Sequence, residues 1–196
     1  MKKFMIMAAL MLSSVGAFAQ YSAGDITLQP KVGLNVTSTT GEGADYKAGF
    51  VGGAELEYHA TPMLGISAGV LYSMEGAKLK DSDYKVNLDY INIPILANVY
   101  VAPGFAIKAG IQPAFNLSSK FKGEGISIDL NETAKYLDAD AIKVNSFDFS
   151  IPVGLSYEYM NVCLDARYNI GVTNIVKDGD AKNSVFQITV GYKFKL

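Results

Sequence analysis

Tryptophan is absent from this 196-residue chain, and histidine occurs once, as His59. Cysteine also occurs once, as Cys163, so no internal disulfide can form. Burial within a strand is the expected place for that lone thiol. So few His and Cys residues provide no ligand set for a His/Cys metal centre, and no metal or cofactor site is expected. No G-x-S-x-G nucleophile elbow occurs. Gly41-Glu-Gly43 and Gly123-Glu-Gly125 lack the strand-to-helix context of a phosphate loop. His59 falls at a tight turn and reads as a polar turn residue. No catalytic residue is assigned, and the chain is read as a non-enzyme. A dominant charge is lacking too: 17 Lys and Arg face 19 Asp and Glu, for a net charge of −2. That balance argues against a nucleic-acid partner. Past the N-terminus no run approaches ~18 consecutive apolar residues, so no transmembrane helix is expected. Anything in this chain that crosses a membrane must do so as a closed barrel.

What is present begins with an export signal. Lys2-Lys3, an apolar run from Phe4 to Leu12 and Ala17-Phe18-Ala19 form a basic region, a short apolar region and an A-x-A site. This predicts a secretory signal peptide over 1–19, cleaved after Ala19, and one mature domain over 20–196. Loss of Lys2 and Lys3 moves the net charge from −2 to −4.

The mature chain reads as eight runs with period-2 alternation, over 26–37, 46–59, 63–77, 84–101, 104–118, 146–159, 161–171 and 184–196. On the sixth, Phe147, Phe149, Ile151, Val153, Leu155 and Tyr157 alternate with Asp148, Ser150, Gly154, Ser156 and Glu158. The fourth run slips phase. Val86, Leu88 and Tyr90 alternate, then Ile91, Ile93, Ile95, Ala97 and Val99 take over as its apolar face. A one-residue slip flips the faces, so a β-bulge is expected near Tyr90–Asn92. Three connections are tight: 60–62, 102–103 and Met160-Asn161. The others are longer, with 119–145 the longest and a surface helix of about two turns expected over 131–137. Short turns at one end and long loops at the other fit an outer-membrane barrel. The fold predicted is all-β: an eight-stranded antiparallel up-and-down transmembrane β-barrel.

Alternation alone leaves open which face meets lipid. A soluble periplasmic lipocalin-like barrel puts its apolar face inside. The apolar faces here carry no charge, as a lipid face requires. The polar faces are rich in Gly, Ser, Asn and Gln. Phe147 and Tyr159, twelve residues apart on one face, span roughly 28 Å along the membrane normal. Phe149 and Tyr157 span roughly 19 Å by the same geometry. The two pairs bracket the ~25 Å apolar band between aromatic girdles.

The C-terminal run Thr189-Val-Gly191-Tyr-Lys-Phe194-Lys-Leu196 resembles the terminal signal by which outer-membrane barrels are recognised for insertion. Thr189, Gly191, Phe194 and Leu196 carry that pattern, with Leu196 where an aromatic is usual. Together with the signal peptide, the eight runs and Asn92-Ile-Pro94-Ile-Leu96, the chain is similar to the PorT-like "porin family" outer-membrane β-barrel domain. The resemblance implies an eight-stranded barrel and no shared reaction. It implies the bacterial outer membrane as location, and lipid, lipopolysaccharide and the barrel-assembly machinery as partners. The partner of the outer loops is unknown.

The inward faces then carry Lys31, Lys108, Arg167, Lys193 and Lys195 against Glu55, Glu57, Asp148, Glu158 and Asp165. Eight strands enclose a lumen that side chains fill, and buried charges must be paired. An interior ionic network of Lys31, Glu55, Glu57, Lys108, Asp148, Glu158, Asp165, Arg167 and Lys193 is expected. The function expected is a structural role, or binding and adhesion by the outer loops. Two alternatives stay open: a narrow ion channel along Lys108, Arg167, Asp148 and Glu158, and the soluble ligand-binding barrel.

Overall fold

The computed structural model describes residues 21–39, 44–79, 85–123, 126–130, 132–133, 144–175 and 181–196. The signal segment 1–19 and most of the helix expected over 131–137 lie outside the described residues.

Almost every described residue is in a strand. The strands are β1 (Ile26–Thr39), β2 (Ala44–Asp45), β3 (Lys47–Thr61), β4 (Leu64–Leu79), β5 (Lys85–Asn92) and β6 (Ile95–Ala102). They continue with β7 (Phe105–Gly123), β8 (Ile126–Asp129), β9 (Phe147–Tyr159), β10 (Val162–Asn174), β11 (Lys182–Tyr192) and β12 (Phe194–Lys195). All pairings are antiparallel, and neighbours in sequence are neighbours in space. β5 and β6 together form one stave, and so do β11 and β12. With β1, β3, β4, β7, β9 and β10 they make eight staves, because β2 and β8 only extend the sheet at the loop end. β11 and β12 both pair with β1, through Val36↔Phe186, Leu34↔Ile188 and Leu28↔Phe194. This closes the sheet into a barrel and leaves the first and last staves without free edges.

The three tight turns are built from residues suited to them. Met160 and Asn161 both take positive φ, 47° and 67°. Two such residues between Tyr159 and Val162 make the two-residue hairpin whose twist matches the strands. Gly104 turns the chain at φ +69°. Thr61 Oγ1 accepts the backbone N–H groups of Met63 (3.2 Å) and Leu64 (3.0 Å). Tight curl elsewhere needs bare backbone. A Cβ on Gly33 would lie 2.0 Å from the carbonyl oxygen of Ile188, and one on Gly110 2.0 Å from that of Ile95.

The faces settle the lipid question. Leu34 is 63% exposed, Ile107 50% and Leu155 49%, whereas Lys31, Asn35, Lys108 and Ser156 beside them are buried. Apolar residues point out around the whole barrel and polar ones point in. A soluble protein does not expose such a continuous apolar belt. The lipocalin-like alternative is thereby overturned. Aromatics ring both ends: Tyr58, Tyr157, Tyr159, Tyr192 and Phe194 at the turn end, and Tyr46, Phe50, Phe115, Phe147, Tyr168 and Phe186 at the loop end. Phe115 and Phe147 meet edge to face, 5.7 Å between centroids.

Four expectations need correction. The fourth run is two strands, interrupted at Ile93-Pro94. Proline has no N–H for the ladder; the Pro94 carbonyl instead accepts from Gly69 N–H (3.1 Å), and Ile93 N–H donates to the Pro113 carbonyl (2.9 Å). Nor does this stave flip. Leu88, Tyr90, Asn92, Leu96, Asn98 and Tyr100 all point inward. Leu88 and Tyr90 are therefore interior residues, packed with Ala114, Val144 and Ile175 in an apolar cluster at the loop end. The bulge is at the expected level but on the neighbouring strand. Asp89 pairs with Ser118 and Tyr90 with Asn116, which leaves Leu117 as the extra residue of β7. The 119–145 loop also begins later than expected, because β7 runs on to Gly123 and forms a hairpin with β8.

Candidate functional site

The lumen is the chemically distinctive part of the molecule. Every second residue of each stave points into it, so its contents follow from strand register. They are arranged in tiers from the turn end to the loop end.

At the turn end the segment before β1 folds into the mouth of the barrel. Tyr21 is 6% exposed and stacks on His59, with ring centroids 4.0 Å apart and planes 19° apart. Its hydroxyl donates to Glu158 Oε1 (2.6 Å). Burial, and this bond to a carboxylate, raise the phenol well above its ordinary range. His59 is thus a fully buried interior residue and not the turn residue expected from sequence. Above it Lys193 Nζ lies 2.8 Å from Glu57 Oε2 and 3.2 Å from Glu158 Oε2. Tyr100 OH donates to Glu57 Oε1 (2.7 Å) and accepts from Lys193 (2.8 Å), while Asn98 Nδ2 donates to Glu57 Oε1 (2.9 Å). The Lys193 ammonium also sits 5.3 Å from the ring centroids of both Tyr21 and Tyr100, close enough for cation–π attraction.

The middle tier is denser in charge. Arg167 grips Glu55 with two bonds, Nη1 to Oε1 (2.6 Å) and Nη2 to Oε2 (2.8 Å). This is the fork geometry that guanidinium and carboxylate share. Arg167 Nη2 also donates to Asp165 Oδ2 (2.9 Å), and its Nε makes a close ion contact with Asp165 Oδ1 (2.7 Å). Lys108 reaches Asp165 Oδ2 at 2.6 Å, and Lys31 lies 2.9 Å from Glu55 and 3.5 Å from Asp165. These five residues come from β1, β3, β7 and β10, and none is more than 3% exposed.

Of the nine residues expected to share an interior network, eight fall into these two tiers. Asp148 stands apart, nearer the loop end. It accepts from Asn183 Nδ2 (2.6 Å), from the Phe149 backbone N–H (2.8 Å) and from the Thr173 hydroxyl, and has no ion-pair partner among the described residues. Lys195 lies at the rim, 58% exposed, 2.7 Å from Asp25. Lys195 and the Ser22 N–H hold the Asp25 carboxyl below its ordinary value. At the C-terminal strand, Thr189 is buried inside, Phe194 and Leu196 face outward, and Gly191 pairs with Lys31 of β1. Leu196 N–H donates to the Ile26 carbonyl (2.9 Å).

Sequence reasoning passed over Tyr21, Tyr100 and Glu75. Glu75 and Tyr100 were within reach, because each shares the parity of buried polar neighbours, Ser73 and Asn98. Tyr21 precedes the first strand and no periodicity marks it.

The family comparison agrees with the geometry. The chain belongs to the outer membrane protein beta-barrel domain family, whose model matches residues 18–177. No curated protein matches it. Among solved structures it is similar to Ail, the attachment invasion locus protein of Yersinia pestis, at 15% identity and TM-score 0.53, covering 87% of this chain and 99% of that one. It is likewise similar to Neisserial surface protein A, at 16% identity and TM-score 0.56, covering 86% and 97%. At these identities the likeness is one of fold. The chain is an integral outer-membrane β-barrel.

Proposed function

We propose that this barrel is a non-conducting, non-catalytic scaffold whose outer loops bind or adhere, and whose lumen is sealed by its own ion pairs. The observation that carries this reading is the middle tier. Arg167, Lys31, Lys108, Glu55 and Asp165 are joined by contacts of 2.6–3.5 Å across the lumen. Their burial supports a lumen filled by side chains at that level. Tyr21 adds a second closure at the turn end. The fold neighbour named for attachment supports a loop-centred role by analogy of fold alone. The finer family reading, a PorT-like porin-family domain, rests on the sequence resemblance, and "porin" in that label is homology and not conduction. Deleting the loop-end segments while keeping the staves should abolish surface binding and leave insertion intact; binding that survives those deletions would sink the reading.

Export by a signal peptide cleaved after Ala19, and assembly through the terminal signal Thr189, Gly191, Phe194 and Leu196, belong to the same proposal. The barrel-assembly machinery is the partner at that step, with lipid and lipopolysaccharide around the finished barrel. Phe194→Asp puts a charge on an outward-facing position of the closing strand and should abolish the heat-modifiable, membrane-inserted form. Wild-type insertion of that variant would remove the terminal-signal reading.

A further inference from the structure

The loop-end tier of the lumen holds two carboxylates, and the one described ammonium beside them, Lys47, donates to the Glu75 backbone carbonyl (2.5 Å) and forms no ion pair with either carboxylate. Glu75, 4% exposed, accepts from Ser73 Oγ (2.8 Å) and Asn92 Nδ2 (3.1 Å). Asp148 accepts from Asn183 as described above. Among the described residues neither carboxylate has an ion-pair partner. The other tiers do not compensate. Three cations face two anions in the middle tier and one cation faces two anions below it, so those charges cancel between them. Among the described residues those tiers hold no cation in excess for the upper pair.

Glu75 and Asp148 line a cavity of about 10 Å³ together with Asn92, Gln112, Asn169 and Asn183. It has room for one water-sized occupant. These six residues come from β4, β5, β7, β9, β10 and β11, so the cavity draws on most of the barrel wall. The four amide side chains are 1–4% exposed, and each has its carbonyl oxygen buried without a hydrogen-bond partner. Their NH2 groups are already engaged: Asn92 with Glu75, Asn183 with Asp148, Gln112 with Ser150 and Asn169 with Gln187. For Asn92 and Asn183 the acceptor is a carboxylate, which fixes which end of the amide faces the cavity.

A shell dominated by acceptors, with the Ser150 hydroxyl as its one further polar group, decides the occupant. A single water donates two hydrogens. It cannot satisfy four orphan carbonyl oxygens and the carboxylates together, whereas a cation satisfies all of them at once. Ligands that are all oxygen, with neither nitrogen nor sulfur, select a hard cation. Two carboxylates match a divalent charge. Mg²⁺ keeps several of its waters, for which this cavity has no space, while Ca²⁺ accepts six to eight protein oxygens in flexible geometry. We infer that Glu75, Asp148, Asn92, Gln112, Asn169 and Asn183 form a calcium site that pins the barrel wall beneath the outer loops. Sequence gave no motif for it, because its ligands are single residues from separate strands.

Terbium reports on this site directly. The protein has no tryptophan, and Tyr90 packs on Ala114, which itself lines the cavity. The barrel refolded in detergent with chelator, then freed of it, is titrated with Tb³⁺ under tyrosine excitation and then with Ca²⁺ or Mg²⁺. Expected are saturation at one ion per heat-modifiable barrel, displacement by Ca²⁺ well ahead of Mg²⁺, and affinity weakened at least about tenfold in Glu75→Gln and in Asp148→Asn. Asp25→Asn, at the rim, should bind like wild type. Absence of saturable binding to the folded wild type, equal displacement by Mg²⁺, or undiminished binding in whichever of the two variants folds would each overturn the assignment.

Discussion

The two halves of the lumen solve the same problem differently. Both bury carboxylates in a space with little water. Toward the turn end each carboxylate has a fixed cation: Glu55 and Asp165 have Arg167, Lys31 and Lys108, while Glu57 and Glu158 share Lys193. Toward the loop end Glu75 and Asp148 have amide and hydroxyl donors instead, under an apolar cluster of Leu88, Tyr90, Val144 and Ile175. The lower half is neutralised within the chain. In the upper half neither carboxylate has an ion-pair partner among the described residues. A buried ion pair is often no more stabilising than a well-packed apolar substitute, but breaking one is costly because a charge is stranded. The lower half should therefore tolerate single substitutions badly, and the upper half should respond to solution conditions instead.

The largest difference is expected at Arg167. Arg167→Ala removes the two-bond grip on Glu55 and the two contacts to Asp165, leaves those carboxylates to Lys31 and Lys108 alone, and should lower unfolding stability in detergent by about 3 kcal/mol. A wild-type denaturation midpoint would mean water already solvates the middle tier. Next comes Tyr21→Ala. It removes a hydrogen bond to a carboxylate, worth about 1.5–3 kcal/mol, and uncovers His59. Since His59 is the only histidine, its reaction with an imidazole-specific acylating reagent reads the opening of the turn end. Protection that persists in the variant would show that Tyr21 is not the cover.

Glu75→Gln tests the upper half. In chelator it strands no buried cation and should change stability by less than about 1 kcal/mol. A loss as large as that of Arg167→Ala would erase the contrast between the halves. The smallest effect belongs to the rim. Lys195→Gln should leave the denaturation midpoint unresolved from wild type, since an exposed ion pair contributes little. Because Asp25 has its carboxyl lowered in the folded state, its contribution is present above the unfolded value and is lost as pH falls through the folded one. Acid titration should show a smaller loss in Lys195→Gln than in wild type, because the Ser22 N–H still holds the carboxylate.

Most of the barrel was legible because each stave obeys a period of two and each tight turn interrupts it. Where one face was uniformly apolar, as in Phe147–Tyr159, both the strand and its outward direction could be read. The reading failed where the interior itself becomes apolar. Leu88 and Tyr90 looked like lipid-facing residues because hydrophobicity marks a face, not a direction. The bulge at Leu117 was displaced for the same reason, since a slip in one strand's pattern can be met by an extra residue in its partner. His59 was misread because strand ends and turns look alike when a distant residue, Tyr21, supplies the burial. The charged residues themselves were visible. Which of them meet depends on shear between staves, and this separates Asp148 from the other eight.

Steady conductance through the purified wild-type barrel in a planar bilayer tests the sealed lumen most directly. The account predicts no stable unitary steps across the voltage range in which the barrel remains inserted, with ion flow appearing only when the middle tier is cut, as in Arg167→Ala. Reproducible, long-lived conductance steps from the intact wild type would contradict it and make the narrow channel the better description.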